Sequence, residues 1–211
     1  MIGRDVRSVH PHFNAMNMNI FPITSASPHY DSVENLLLSA FPADERRDTL
    51  LQRQYADDNP LFTVYAAFDD DKFVGCFTLW SFEEFSFVEH LAVNTELRGK
   101  GYGTRILHYI KEIAKLPLLL EIEVPCSEAQ AMRKHFYEKN GFEKVDKFYF
   151  QPPYRVGEKC IVMHLMRYGK TDVASLEEYD AKFNAYTAKI YTEVYSFTEG
   201  EAVAEMEYKS E

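Results

Sequence analysis

The segment Arg98-Gly99-Lys100-Gly101-Tyr102-Gly103-Thr104 combines residue types whose spacing suits anion binding. Three glycines at alternate positions let the backbone curl and expose consecutive N–H groups. A helix is expected to begin near Gly103, and its N-terminus directs a positive partial charge at the same place. Arg98 and Lys100 add two full charges. The segment therefore predicts a binding site for a di- or polyanion such as a pyrophosphate.

Four interpretations of this loop compete. A Walker A loop requires Ser or Thr after Gly-Lys, and Gly101 stands there instead. A dinucleotide-binding fingerprint requires its third glycine one place later, where Thr104 stands. The Gly-x-Gly-x-Gly of methyltransferases fits the three glycines, but a loop that faces a cationic sulfonium should not carry two cations. A tight turn without a ligand is the fourth interpretation, and the two cations count against it as well.

Two ordered motifs resemble the GNAT family of N-acetyltransferases. Leu91-Ala92-Val93, a short gap and the Arg98–Gly103 segment resemble the family's acetyl-CoA-binding motif, Arg/Gln-x-x-Gly-x-Gly/Ala. Downstream, Phe136-Tyr137-Glu138-Lys139-Asn140-Gly141-Phe142 resembles the second hallmark. The resemblance covers about residues 19–167. It implies an α/β fold with a mixed, mostly antiparallel sheet of six to seven strands and helices on both faces, to which we add a C-terminal helix.

The resemblance implies that acetyl-CoA is the cosubstrate. The strand formed by Leu91, Ala92 and Val93 would pair with the pantetheine arm in a gap where the sheet splays open. It would also donate an amide to the thioester carbonyl, whose oxygen becomes an oxyanion during attack. The pyrophosphate would bind backbone amides in the cofactor-holding segment, which comprises Arg98, Gly99, Lys100, Gly101, Tyr102, Gly103 and Thr104.

The resemblance also assigns catalytic groups. Tyr137 matches the family's usual general acid, whose phenol would protonate the departing CoA thiolate; alternatively it is a core tyrosine. Glu89, Glu121 and Glu123 lie on predicted strands beside the site, and we expect Glu89 or Glu121 to be the general base. Neighbouring carboxylates raise each other's pKa toward a useful range, although each glutamate could instead be solvated at an open strand edge. One departure is Gln130, which stands where many members have a cofactor-contacting asparagine.

Seven strands are predicted from runs rich in β-branched and aromatic residues. The second, third and fourth form an antiparallel meander, because turn signals such as Asp69-Asp70-Asp71 separate them. The predicted strands are Asn19–Thr24, Phe62–Phe68, Phe73–Trp80, Phe87–Val93, Leu118–Val124, Lys144–Phe150 and Cys160–Met166.

Five helices are predicted from apolar periodicity and capping residues. The second is expected to turn Leu50, Leu51 and Tyr55 inward. The helix after the glycine loop presents Ile106, Leu107, Ile110, Ile113 and Ala114 on one face. The other predicted helices are Pro28–Ala40, Asp44–Ala56, a segment that begins at Glu128 after the N-cap Ser127, and Ser175–Val194.

The chain is expected to contain one catalytic domain with two appendages. These are an N-terminal extension over residues 1–18, an acetyltransferase domain over 19–170, and an acidic helix and tail over 171–211. The net charge is −10, and residues 171–211 hold 10 acidic and 3 basic residues, so most of this charge belongs to the tail. A charge of this sign argues against a nucleic-acid partner.

The sequence also limits location and partners. No apolar run approaches the roughly 18 residues of a membrane span, and no apolar block follows Arg4 and Arg7 to make a secretory signal. The three cysteines lack metal-ligand spacing, which favours reduced thiols. We therefore expect a cytoplasmic protein without a metal or a membrane contact. The C-terminal helix packs on the domain or on a partner chain, so a homodimer stays open.

The sequence thus predicts transfer of an acetyl group from acetyl-CoA to a primary amine by direct attack in a ternary complex. The alternative from another class is a non-catalytic acyl-CoA-binding or interaction module of the same fold. A methyltransferase that uses S-adenosylmethionine is a third option. The acceptor is a small-molecule or peptide amine, and aminoglycosides, polyamines, amino acids and protein N-termini all stay open.

Overall fold

A computed structural model describes residues 18–170 and 174–197, and in these residues eight strands form one sheet. The order is β1-β2-β3-β4-β5-β8-β6, and β7 also pairs with β8. The strands are β1 (Met18–Ile23), β2 (Phe62–Asp69), β3 (Lys72–Ser81), β4 (Ser86–Val93), β5 (Leu118–Glu123), β6 (Glu143–Lys144), β7 (Tyr149–Gln151) and β8 (Ile161–Tyr168).

The sheet is antiparallel except at its centre. The predicted meander is confirmed, because β2, β3 and β4 pair in sequence as antiparallel neighbours. β1 extends it, since it pairs antiparallel with β2. β4 and β5 are parallel, since helix α3 connects them across the sheet. β8 then returns antiparallel to β5. The predicted mixed, mostly antiparallel sheet is therefore confirmed.

The predicted strand Lys144–Phe150 is two short strands, which raises the number of strands to eight. The Val145 amide still donates to the Leu165 carbonyl at 2.9 Å, just beyond β6. The next residues, Asp146–Phe148, leave the sheet edge and are exposed or half-buried. The chain rejoins β8 where Tyr149 pairs with Met163.

Five helices cover both faces of the sheet. One buried cluster lies against α1, α2 and α5 and includes Val33, Trp80 and Ile190. The other lies against α3 and α4 and includes Ile106 and Tyr137. The predicted layering is therefore confirmed. The helices are α1 (Tyr30–Ala40), α2 (Thr49–Asp58), α3 (Tyr102–Ile113), α4 (Glu128–Lys139) and α5 (Leu176–Val194).

Helix α2 differs from the prediction in its start and in its inward face. Residues 43–45 form a separate 3₁₀ turn, and α2 begins after Asp48, whose carboxylate accepts from the Leu51 amide at 3.0 Å. Leu50, predicted to be inward, is 80% exposed. Gln52 is buried in its place, because its Oε1 accepts a hydrogen bond from Arg47 at 3.0 Å. A polar pair, which apolar periodicity does not reveal, sets the orientation of this helix.

Helix α5 packs on the sheet of its own chain. Its N-cap is Ser175, whose hydroxyl accepts from the Glu178 amide at 3.2 Å. Near its other end, the Tyr191 hydroxyl donates to the Phe150 carbonyl at 2.8 Å. In the part of the chain that the structure describes, α5 and the other helices are each too short or too polar to cross a membrane. Most of the predicted N-terminal extension and the tail from residue 198 lie outside the described residues.

Candidate functional site

A cavity of about 610 Å³ opens where β4 and β5 part. The two strands pair at only three positions, the last being Val88 opposite Leu120. Both strands nevertheless continue, β4 to Val93 and β5 to Glu123. Beyond Val88 the β4 edge that faces β5 therefore lacks a strand partner among the described residues. Its N–H and C=O groups can pair with an extended ligand.

A β-bulge in β4 shapes the wall of this cavity. Thr78 pairs with His90 and Leu79 pairs with Val88, so Glu89 is an extra residue opposite β3. A bulge of this kind bends the strand and changes which face its side chains occupy. Glu89 and His90 accordingly point to the same side of the sheet, toward the turn before α2.

The glycine loop closes one end of the cavity. Gly99 and Gly101 have φ values of +76° and +83°, in the left-handed region that favours glycine. The backbone conformation and not steric crowding favours glycine here, because a Cβ at either position would meet nothing within 4 Å. Gly101 is the N-cap of α3 and offers no side-chain cap to the first helical amides. The residues that carry those amides line the cavity together with Arg98, and such a helix N-terminus suits an anion.

Glu89 lies at the inner wall of the cavity with its side chain only 1% exposed. Its Oε1 lies 2.6 Å from Arg47 Nη2 and accepts from the Tyr154 hydroxyl at 2.7 Å. Its Oε2 accepts from Arg47 Nη1 at 3.0 Å and from Trp80 Nε1 at 2.9 Å. Burial alone would raise the pKa of Glu89, but the Arg47 guanidinium, the neighbouring His90 and the hydrogen bond from Trp80 hold it below its usual value. Glu89 is therefore a buried, ionised carboxylate whose two oxygens already accept hydrogen bonds.

Glu121 is a second buried carboxyl on the cavity wall, and it has no cationic partner among the described salt bridges. Its Oε1 accepts from the Tyr149 hydroxyl, and its Oε2 accepts from the Tyr195 hydroxyl at 2.7 Å. Burial raises the pKa of Glu121 to about 7, although the two phenol hydrogen bonds act in the opposite direction. This carboxyl can therefore take up and release a proton near neutral pH.

Tyr137 places a phenol on the same cavity. The residue is 8% exposed, and its ring packs against Phe136 and Phe142 with centroid distances of 5.1 and 5.6 Å. Burial raises the pKa of Tyr137 to about 12, so the hydroxyl stays protonated at neutral pH. None of the hydrogen bonds found among the described residues uses this hydroxyl. It is available as a proton donor.

Glu123 and Gln130 lie at the margin of the site. Glu123 forms an ion pair with Arg133 of α4, and both residues line the cavity. Gln130 does not line it, since its Oε1 accepts from the Cys126 amide at 2.9 Å. Among the described residues, no group of three or more His, Cys, Asp or Glu side chains could hold a metal ion.

Comparisons with known proteins agree with this geometry. The sequence profile of the acetyltransferase (GNAT) family matches residues 30–142, which is more than half of the chain. A protein from Bacteroides thetaiotaomicron, assigned to the GNAT acetyltransferases, is 38% identical with a TM-score of 0.77. The match covers 84% of this chain and 98% of that chain. The chain belongs to the GNAT acetyltransferase family.

More distant GNAT structures share the fold. A GNAT acetyltransferase from Elizabethkingia anophelis, solved with acetyl-CoA bound, is 20% identical with a TM-score of 0.51, and the match covers 74% of this chain and 99% of that one. An aminoglycoside 6′-N-acetyltransferase complexed with coenzyme A is 18% identical with a TM-score of 0.55, covering 72% and 99%. No curated protein matches the sequence.

The structure brings nearly all of the site residues predicted from the GNAT resemblance to one cavity. Glu89, Glu121 and Tyr137 line it, and so do β4 and the glycine loop. Lys100 is exposed and does not line it. The lining residues of β4 and the loop that were predicted to bind the cofactor are Leu91, Ala92, Val93, Arg98, Gly99, Gly101, Tyr102, Gly103 and Thr104.

Sequence reasoning missed the residues that give Glu89 and Glu121 their different surroundings. Arg47, which pairs with Glu89, lies in a polar stretch that resembles any exposed helix start. Tyr149, Tyr154 and Tyr195 come after the matched range 30–142, and no motif marks them. The one available signal was the abundance of tyrosine, at 14 residues in the chain, most of whose hydroxyls need partners if they are buried.

Proposed function

We propose that the protein transfers an acetyl group from acetyl-CoA to a primary amine by direct attack in a ternary complex. The observation that carries the proposal is the single cavity that joins the glycine loop to Glu121 and Tyr137. A polyanion site, an unpaired strand edge, a proton acceptor and a proton donor therefore lie along one channel. GNAT membership supports an acetyltransferase.

Acetyl-CoA is the cosubstrate that this channel fits. Its pyrophosphate would bind the free amides at the start of α3 with Arg98, where two glycines in left-handed conformations open the loop. Its pantetheine arm would lie as an extra strand along β4 from Leu91 to Val93. An amide there would hold the thioester oxygen as it gains negative charge. The solved GNAT neighbours that contain acetyl-CoA or CoA support this assignment.

Glu121 is the general base in this proposal. Glu89 is the weaker choice, because its oxygens already accept from Arg47, Trp80 and Tyr154 and its lowered pKa makes it a poor proton acceptor. Burial raises the pKa of Glu121 to about 7, and none of the ion pairs among the described residues gives it a cationic partner. Glu121 takes the proton that the amine loses, directly or through a water molecule.

Tyr137 is the general acid. As the amine nitrogen bonds to the carbonyl carbon, the carbon–sulfur bond breaks and the electron pair leaves with sulfur. The phenol proton of Tyr137 then passes to the thiolate and gives free CoA. Burial supports this role, because it keeps the phenol protonated. We place the reaction in the cytoplasm, on the ground that the three cysteines are free thiols.

The test is release of free thiol from acetyl-CoA in the presence of aminoglycosides, polyamines, amino acids and peptide N-termini. Turnover with one of these classes supports the enzyme and names its acceptor. Replacing Glu121 with Gln should lower kcat for that acceptor while CoA binding persists. Tight binding of CoA without turnover on any amine would instead show a non-catalytic acyl-CoA-binding module.

A further inference from the structure

The C-terminal end of α5 contacts both buried carboxylate systems of the site. The Val194 carbonyl accepts from Arg47 Nη2 at 3.1 Å, and Arg47 pairs with Glu89. The next residue, Tyr195, donates its hydroxyl to Glu121 Oε2 at 2.7 Å. This part of the chain lies well beyond residues 30–142, which the family profile matches. The end of a helix outside the segment that the family profile matches therefore reaches the candidate base.

Tyr195 is held so that its hydroxyl has a fixed direction. The residue is 7% exposed, and its ring packs on Tyr154 with a centroid distance of 4.9 Å. Other polar groups surround Glu121 from several elements: Tyr149 donates from β7, and the charges of Glu89, which pairs with Arg47, and of Glu45 act on it. Burial and the two glutamates disfavour the ionised form of Glu121, whereas Tyr149 and Tyr195 stabilise it.

We propose that Tyr195 is a positioning residue for catalysis: its hydroxyl orients the Glu121 carboxylate and favours the ionised form that accepts the amine proton. This proposal rests on the proposed function of Glu121. Each carboxylate oxygen receives one phenol donor, which locks the carboxylate plane and leaves the remaining lone pairs for the substrate proton or a water molecule. Helix α5 then contributes to catalysis, since Tyr195, the residue that follows its last turn, donates to Glu121.

Tyr191 provides a matched control on the same helix. It is also a buried tyrosine, 5% exposed, and its hydroxyl donates to the Phe150 carbonyl at 2.8 Å. Tyr191→Phe removes a buried hydroxyl one turn away without removing a donor to Glu121. Any loss that comes only from loosening α5 should appear in both variants, whereas a change in Glu121 should appear only in Tyr195→Phe.

The decisive measurement is the pH dependence of kcat/KM. In the wild type, activity should rise with pH through about 7 as Glu121 ionises. Tyr195→Phe removes a donor that stabilises the carboxylate, so the pKa of Glu121 rises and the acid limb moves to higher pH, by about one unit. Tyr191→Phe should leave the midpoint of the limb in place. An unmoved limb in Tyr195→Phe, with Glu121→Gln inactive, would overturn this proposal and leave the proposed function standing.

A second readout does not depend on turnover. The titration of the Glu121 carboxyl can be followed by NMR in the enzyme without substrates, with Glu121→Gln to assign the signal. The midpoint should move upward in Tyr195→Phe and not in Tyr191→Phe. Equal midpoints in the wild type and Tyr195→Phe would overturn the positioning role. A wild type that releases no thiol from acetyl-CoA with any amine would instead overturn the proposed function itself.

Discussion

Glu89 and Glu121 show how one cation changes the chemistry of a buried carboxylate. Both lie on the wall of the same cavity and both accept hydrogen bonds from tyrosines. Only Glu89 has a guanidinium beside it, and its pKa falls below the usual value, whereas the pKa of Glu121 rises to about 7. Glu89 therefore stabilises the site as a permanent anion, and Glu121 can exchange a proton.

Removing the Tyr137 hydroxyl should slow the chemical step without weakening cofactor binding. Tyr137→Phe keeps the ring between Phe136 and Phe142 but leaves no proton for the departing thiolate. We expect kcat to fall by about 10²- to 10⁴-fold, with the KM for acetyl-CoA nearly unchanged. Steady-state thiol release measures both. An unchanged kcat would assign Tyr137 to the core.

Breaking the Arg47–Glu89 pair should destabilise the fold. Arg47→Met leaves the Glu89 carboxylate buried without its cation, a change that costs about 3–5 kcal/mol. Urea unfolding followed by circular dichroism measures the loss in free energy of unfolding. Arg53→Met is the control, because Arg53 is half-buried and pairs with Glu34 and the exposed Asp31, so the loss should be smaller. Equal losses in the two variants would contradict the structural role of the buried pair.

The sequence could not rank these glutamates, because the residues that distinguish them are distant along the chain. Arg47 precedes Glu89 by 42 residues, and Tyr195 follows Glu121 by 74. Tyr137, Gly101 and the strand after Glu89 were predictable, since each belongs to a short motif whose local geometry suffices. Long-range hydrogen bonds leave no comparable pattern in a single sequence.

At the scale of elements, local sequence patterns were sufficient to predict the buried face of a helix where the buried side chains are apolar. Helix α3 follows its prediction, because Ile106, Leu107 and Ile110 make one fully buried stripe. Helix α2 does not, because Gln52 and Arg47 are buried as a polar pair in place of Leu50. On α4, the apolar side chain of Met132 is 62% exposed and lines the cavity.

The contact between β3 and β4 requires a glycine at position 75. A Cβ there would lie 2.5 Å from the Ala92 carbonyl oxygen, which is backbone and cannot move aside. Gly75→Ala should therefore cost about 1–3 kcal/mol in the free energy of unfolding. Gly103→Ala is the comparison, because its nearest neighbour is the Phe136 ring at 3.4 Å, and it should not lower stability. Thermal or urea unfolding of both variants decides the point.

At the scale of the whole molecule, cofactor binding should stabilise the folded state. A ligand present at roughly 100 times its Kd adds about 2.7 kcal/mol, which corresponds to a rise in Tm of roughly 5–10 °C for a domain of this size. Thermal unfolding with and without CoA measures this shift. The Arg98→Glu, Gly101→Asp double variant should lose it, because it adds two negative charges to the glycine loop.

S-adenosylmethionine serves as the matched ligand control for that experiment. It should leave Tm unchanged, since a cationic sulfonium gains nothing from Arg98 or from the helix N-terminus. A shift with S-adenosylmethionine and none with CoA would contradict the acetyltransferase assignment of the loop. Because the protein has a net charge of −10, it does not attract anions in general, so binding of CoA would indicate specific contacts at the glycine loop.

The parallel contact between β4 and β5 spans only three residue pairs. The sheet therefore consists of two halves, β1 to β4 and β5 to β8, which are joined by a short contact. Helix α5 contacts both halves. The ring of Tyr186 packs on Phe85, next to β4, with a centroid distance of 4.6 Å, and the Tyr191 hydroxyl donates to the Phe150 carbonyl of β7. These two contacts limit how far the two halves of the sheet can separate. The width of the gap between β4 and β5 is thus governed in part by a helix whose own residues do not line the cavity.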